Sequence, residues 1–413
     1  MKKILILAFS VVAICLSSCS DVKQLDEGYD ASRYNNNGAP TITAIYNAQD
    51  TGYAEPLTSG ELNQYIRIVG KNLANVKNLN INGLEVDIAS RVYAESSYAI
   101  VRIPRYIPEE ETGVMKYETD KGTIEIPFPV SIPAVEFNGL QNEFALAGSR
   151  VQLMGDFFDL YDFGDTTETS PVSIVITNDE LGYNEVIKCD SCTETYTSVT
   201  IPKDCPDNSK ITFSWKAMDG STVTRVIPYR NTNALLFGNF EGDLGWWSDL
   251  PKTWVANSQL ADAPANLGYN YMRLLGTFAA WEWDVTGWGC SWPFEFTNDE
   301  VEDYVFKFEV LTDPATPYPD YGDAGQYGAR NGGYRMTLYG QSDRGQFDPV
   351  AEGITNTNGK WQTVTMPLRE LFRDGLVPKL DEWVSFEFGP QPQKDWEIDH
   401  SFGQFRIEPK DFK

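Results

Sequence analysis

Residues 66–73 read IRIVGKNL and residues 151–158 read VQLMGDFF. Each run sets aliphatic side chains at alternate positions, Ile66 and Ile68 in one, Val151 and Leu153 in the other. A glycine follows (Gly70, Gly155), then a polar residue and an apolar one. Alternation with a period of two marks a half-buried strand. A Gly/Ser pair precedes each run, Ser59-Gly60 and Gly148-Ser149, and each segment later has a strand ending in Ile-Pro, at Ile103-Pro104 and Ile201-Pro202. Self-similarity of this kind indicates two copies of one domain. From Pro40 onward, short alternating runs are broken by Gly, Asn and Pro about every 8 to 12 residues, and helical periodicity is almost absent, which predicts β-sandwiches.

Composition bounds the rest. A chain of 413 residues, 42% of them hydrophobic, has material for two to four domains with proper cores. The formal net charge of −26 argues against nucleic acid and other polyanions, which are met by Lys and Arg clusters. Lys2 and Lys3, an apolar run from Ile4 to Leu16 and then Leu16-Ser17-Ser18-Cys19 read as an export signal, too short to span a bilayer. The last four residues resemble the lipobox of bacterial lipoproteins, which implies cleavage before Cys19 and acylation of it, an outer-membrane lipid anchor. Asp21, Asp26 and Glu27 are weakly similar to the signal that sends such lipoproteins to the cell surface. Residues 19–38 are polar and Asn-rich and read as a flexible tether. Cys189 and Cys192 are spaced like a zinc or redox pair, yet His400 is the sole histidine, so a Cys/His zinc site lacks its parts. A disulfide among Cys189, Cys192 and Cys205, or free thiols, are the alternatives. No metal or cofactor is expected.

Ten of the eleven tryptophans lie after residue 231, a shift that marks a boundary and a job. The stretch Gly276–Pro293, GTFAAWEWDVTGWGCSWP, holds Trp281, Trp283, Trp288 and Trp292. If extended, Trp281 and Trp283 point to one face about 6.5 to 7 Å apart. That ladder is either a buried sandwich face or a platform on which sugar rings stack; the interrupting glycines favour a displayed loop. Residues 313–333, rich in Pro, Gly and Tyr, form a second long loop, where Tyr318 and Tyr321 offer stacking faces and Arg330 and Asn331 offer donors and acceptors for hydroxyl pairs. These eight residues are the candidate glycan-binding set. No catalytic residues are predicted. Trp215 and Trp361 read as core, while the faces of Trp383 and Trp396 stay open.

The repeats resemble IPT/TIG immunoglobulin-like domains, and the Asn239-Phe240-Glu241-Gly242 to Trp246 segment resembles the first strand and turn of carbohydrate-binding jelly rolls. The expected fold is therefore all-β: a signal peptide at 1–18, the tether at 19–38, IPT/TIG sandwiches at 39–133 and 134–230, and a larger jelly-roll-like β-sandwich at 231–413. Taken together, the chain resembles surface glycan-binding lipoproteins of Bacteroidetes polysaccharide-utilisation systems, of the kind encoded at the SusE position with a C-terminal xyloglucan-binding domain. That resemblance implies non-catalytic capture of a polysaccharide or oligosaccharide at the cell surface, in company with a SusC/SusD-like transporter. Acidic residues outnumber basic ones two to one in 231–413, so a neutral, β-linked plant glycan is the expected ligand. A glycoside hydrolase, or a protein-binding adhesive lipoprotein, are the competing classes.

Overall fold

The computed structural model describes residues 31–236, 247–248, 253–256, 266–280, 286–318, 333–338, 345–350, 353–354, 356–371, 377–390 and 394–412. These are almost all β, with short helical turns between strands. The chain divides into two compact units, residues 1–133 and 134–413.

The first unit is a sandwich of two four-stranded sheets. One pairs Thr41–Asn47, Tyr65–Lys71, Tyr98–Arg102 and Val92–Ala94 in that order; the other runs Leu84–Glu85, Val76–Ile81, Val114–Thr119 and Gly122–Pro127. Alternation in the sequence becomes alternation in burial: Ile66, Ile68, Ala99 and Val101 from one sheet meet Leu79, Ile81, Met115 and Tyr117 from the other. Within the second unit, residues 136–229 repeat the arrangement strand for strand. Glu136–Leu140, Arg150–Asp156, Tyr196–Thr200 and Cys189–Cys192 form one sheet; Tyr183–Ile187, Ser173–Asn178, Ser209–Lys216 and Thr222–Tyr229 form the other. Trp215 is core here, stacked 5.0 Å from Phe137. Cys189, Cys192 and Cys205 are free thiols.

The glycine shared by the two repeats has one physical cause. The first strand of each sandwich carries a bulge, between Ile42 and Ala44 and between Phe137 and Gly139, and the glycine sits opposite it. A β-carbon on Gly70 would lie 1.8 Å from the Thr41 carbonyl oxygen, and one on Gly155 would lie 1.9 Å from that of Glu136. Two residues on, Asn72 and Phe157 both take positive φ, 59° and 67°. A bulge leaves an unpaired residue and bends the strand, and here it brings two backbones too close for any side chain.

The rest of the second unit is a larger sandwich of two five-stranded sheets. One orders Thr253–Ala256, Tyr271–Phe278, Trp396–Pro409, Tyr304–Thr312 and Gln362–Pro367; the other orders Trp247–Ser248, Thr286–Ser291, Trp383–Pro390, Tyr334–Leu338 and Gly345–Phe347. All the pairings are antiparallel. Phenylalanines dominate the core between them, with Phe308 and Phe405 stacked at 5.3 Å and Phe388 edge-on to Phe402 at 4.7 Å. Trp396 is core. Trp361 is buried in a separate small cluster with Tyr271, Leu311, Leu267 and Phe144, the last supplied by the 136–229 sandwich.

Around Phe144 the two sandwiches of this unit are joined by buried charge. Arg406 places Nη2 2.7 Å from Glu143 and 3.0 Å from Glu309, and Lys307 places Nζ 2.7 Å from Glu143 and 3.0 Å from Glu408. Nearby, Arg230 pairs with Asp207 at 2.5 Å and donates to the Phe144 and Leu267 carbonyls. Thr363 N–H donates to the Gln141 carbonyl at 2.7 Å, and Glu143 N–H donates to the Thr363 hydroxyl.

Two outcomes check this account. Gly70→Ala or Gly155→Ala should each lower stability by about 1–3 kcal/mol, the usual cost of forcing atoms into a packed site; an unchanged melting curve would mean the bulge relaxes freely. A fragment of residues 134–413 should unfold in one cooperative transition, whereas residues 231–413 alone should be markedly less stable. Removing Glu143 strips a buried Arg406 and Lys307 of a shared partner, and breaking a buried pair costs about 3–5 kcal/mol.

Candidate functional site

The strand Trp383–Pro390 alternates cleanly: Val384, Phe386 and Phe388 are buried in the core, and Trp383, Ser385 and Glu387 face outward. Trp383 is 67% exposed, the most open aromatic side chain among the described residues. Its neighbour Thr286–Ser291 sets glycines on that same outward face, Gly287 opposite Glu387 and Gly289 opposite Ser385. A β-carbon on Gly289 would come within 2.3 Å of Trp383 Cζ2 and 2.8 Å of Cε2. The indole therefore lies across the glycine backbone, one side supported and the other open to solvent. Polar groups follow along the strand. Glu387 lies 3.5 Å from Arg335 Nη2, and Arg335, opposite Gly389 in register, is buried beside it. From Trp383 to Glu387 the stripe runs about 13 Å. A supported aromatic plane with a carboxylate and a guanidinium at its far end suits a chain of sugar rings, whose C–H faces stack and whose hydroxyls take donors and acceptors at the edge.

The predicted residues fare unequally. Trp281, Trp283, Tyr321, Arg330 and Asn331 lie outside the described residues. Trp288 belongs to the 286–291 strand, opposite Phe386, and its side chain is likewise outside the description. Trp292 and Tyr318 are corrections: both are core. Trp292 is fully buried just past that strand, its backbone N–H donating to the Glu382 carbonyl at 2.8 Å, with Phe294 and Phe296 edge-on to the indole at 5.2 and 6.0 Å. Tyr318 is driven inward because the chain before it is pinned. His400 Nε2–H donates to the Thr316 carbonyl at 2.6 Å, and Asp399 N–H donates to the Thr316 hydroxyl at 3.2 Å. The Tyr318 ring then packs 4.6 Å from the His400 ring and edge-on to Tyr334 and Phe347. Burial lowers the His400 pKa to about 4, so the imidazole is neutral. With Nε2 donating to a carbonyl, Nδ1 must accept from the Tyr334 hydroxyl.

Trp383 is the residue whose face the sequence reading left open. Its parity against Phe386 and Phe388 carries the answer, since two phenylalanines on the even positions claim the core for that face.

One carboxylate cluster, Glu143, Glu309 and Glu408, is buried and held by Arg406 and Lys307. Glu309, lifted to about 7 by burial with Arg406 pulling the other way, has the pKa of a general acid but no path to a substrate. Among the described residues, no group of three His, Cys, Asp or Glu side chains converges as metal ligands would.

Residues 229–409 match the family described as surface glycan-binding protein B xyloglucan binding domain. That span takes in the C-terminal sandwich, which is similar to that domain. Among solved structures it is similar to the surface glycan-binding protein B of Prevotella bryantii, at 19% identity over 91% of this chain and 100% of that one, TM-score 0.48. It is also similar to one from a complex xyloglucan utilisation locus in Bacteroides uniformis, at 14% identity over 90% and 99%, TM-score 0.45. A third, from the mixed-linkage glucan utilisation locus of Bacteroides ovatus with a bound heptasaccharide, matches at 12% identity over 84% and 72%, TM-score 0.24. No curated protein sequence matches the chain.

Trp383→Ala should weaken glycan binding by about 1–3 kcal/mol, taking stacking of bases on aromatic side chains as the measure, and leave the melting temperature nearly unchanged. Trp292→Ala should do the reverse, costing about 3–5 kcal/mol of stability. Calorimetric titration beside thermal denaturation separates the two, and equal effects of both substitutions on stability would remove Trp383 from the site.

Proposed function

We propose that this chain is a non-catalytic surface glycan-binding protein that captures a neutral, β-linked plant glycan on the outward face of its C-terminal sandwich. The observation that carries this reading is the exposed Trp383 indole laid across Gly289, inside a domain whose family is named for xyloglucan. An indole supported from below keeps its orientation without a ligand, so stacking costs little ordering entropy. Xyloglucan is the first ligand to test, and mixed-linkage glucan the second. Trp281, Trp283, Trp288, Tyr321, Arg330 and Asn331 belong to the proposal as further stacking and hydrogen-bonding contacts. Cys19, acylated, holds the chain at the outer-membrane surface, with the 19–38 tether giving it reach, and a SusC/SusD-like transporter receives what it gathers.

Charge shapes the choice of ligand. With acidic residues outnumbering basic ones two to one in 231–413, a uronate or sulfated chain approaches against the protein's field. Stacking and neutral hydrogen bonds release no counterions, and exposed charges are already screened at about 0.15 M salt.

Titration of a xyloglucan oligosaccharide at low and high ionic strength should give nearly equal affinities, with no new reducing ends after prolonged incubation with the polymer. A steep loss of affinity with salt, or a preference for pectin on a glycan array, would overturn the neutral ligand. Released oligosaccharide would restore the hydrolase reading.

A further inference from the structure

The first sandwich carries an aromatic surface that its fold does not require. On the outward face of the 41–47, 65–71, 98–102 and 92–94 sheet, register aligns Tyr46, Arg67, Ile100 and Tyr93 in a row across all four strands. Tyr65 and Arg102 form the adjoining row, and Tyr98 flanks the other side. Tyr93 is 48% exposed and Tyr65 40%. The same sheet in the 136–229 repeat is an internal control. At the positions of Arg67, Ile100 and Tyr93 it has Gln152, Ser198 and Ser191, and at those of Tyr65 and Arg102 it has Arg150 and Thr200, in the same register. At the position of Tyr98 it keeps a tyrosine, Tyr196, so one topology is built with a largely polar face and with an aromatic one, and packing alone does not account for Tyr65 and Tyr93.

The face is also rigid and armed with donors. Glu95, buried beneath it, accepts from the hydroxyls of Tyr93 and Tyr98 and takes both nitrogens of Arg33, at 2.7 to 3.0 Å. The Arg67 guanidinium lies 4.1 Å from the Tyr98 ring centroid and 4.9 Å from that of Tyr53, and its single hydrogen bond goes to the Tyr53 hydroxyl at 3.3 Å. Arg102 lies over the Tyr65 ring and donates to Asn63. Among the described residues neither arginine is paired with a carboxylate, so most of their N–H donors remain to be used, in a chain of net charge −26.

We infer that this face is a second glycan-binding surface, whose tyrosine rings stack on sugar faces while Arg67 and Arg102 donate to ring and hydroxyl oxygens. The inference rests on the reading of the chain as glycan-binding. Size favours a glycan over a protein here. Four strands by five residues span about 14 by 14 Å, about 200 Å², against the 800 Å² or so that each partner buries in a stable protein complex. Two sites on one chain would raise affinity for a long polymer well above that for a short oligosaccharide.

The test uses the full chain, with xyloglucan polymer and a short xyloglucan oligosaccharide as probes. In a polymer-loaded native gel, the Trp383→Ala protein should still be retarded, and adding Tyr65→Ala and Tyr93→Ala should abolish the retardation. Tyr65→Ala with Tyr93→Ala alone should lower polymer affinity about tenfold or more while leaving oligosaccharide binding at the Trp383 face unchanged. Should that pair disturb the thermal transition, Arg67→Gln decides, since it removes donors and leaves the rings in place. Polymer binding equal to wild type in folded variants overturns the second surface and leaves the first reading intact. The opposite result, binding lost with the tyrosines and untouched by Trp383→Ala, upholds this surface and moves the site away from the C-terminal sandwich. A chain that binds neither probe sinks both.

Discussion

Everything in the larger unit is built around five charges taken out of water. Arg406, Lys307, Glu143, Glu309 and Glu408 lie where the 136–229 sandwich meets the C-terminal one, and the first cation has no solvent-exposed side-chain surface at all. Desolvation of each ion costs several kcal/mol even after relaxation, so such a cluster stabilises only if complete. Glu143 is its cross-link, the member contributed from outside the C-terminal sandwich. Burial pushes its carboxyl up, and Lys307 and Arg406 together more than reverse this, holding it below the ordinary range. Three carboxylates against two cations would leave an unbalanced buried charge. Glu309 supplies the adjustment: raised from 4.5 to about 7, it is partly protonated at neutral pH. Since its folded pKa lies above the unfolded one, its contribution to stability is full below about 4.5 and fades as pH rises through about 7.

A boundary drawn at the composition shift near residue 231 therefore separates folds but not energies. The tryptophan-rich sandwich could not leave the repeat before it without stripping Arg406 and Lys307 of Glu143, and Arg230, at the seam itself, is buried against Asp207 and the carbonyls of Phe144 and Leu267. The repeat acts as half of a foundation for that sandwich. Its rigidity bears on recognition, because the outward sheet that carries Trp383 shares its core with the sheet that carries Lys307 and Arg406.

What the sequence disclosed follows from the range of the interactions involved. The strands were legible because alternation acts within a few residues of one strand, and the glycine because the same close approach of two strands recurs in both repeats and leaves the same mark in each. Which aromatics are displayed was less so. Trp292 and Tyr318 sit among glycines and prolines, as displayed aromatics do, yet one turns under Phe294 and Phe296 and the other follows Thr316, whose carbonyl is held by a hydrogen bond from His400, 84 residues further along the chain. Trp383 was decidable from its own strand by parity. The ion cluster was out of reach, since Glu143 and Arg406 stand 263 residues apart and nothing near either announces the other.

Duplication makes the same lesson sharper. Two sandwiches with one strand order and one glycine-and-bulge device differ on the sheet face that neither core uses. In one copy Arg150 bridges Ser191 and Ser198 by hydrogen bonds of 2.6 to 3.0 Å, a small polar weave complete in itself. In the other, tyrosines from four strands surround two arginines that no carboxylate among the described residues satisfies. Read along the chain, Tyr46, Tyr65, Tyr93 and Tyr98 are ordinary strand residues, since aromatic side chains favour strands for reasons of fit. Only the register gathers them. Tyr65 and Tyr93 serve no core, and the sister copy has Arg150 and Ser191 in their places; the physical chemistry of the patch, flat rings with polar rims and a small footprint, narrows what it can meet outside the fold.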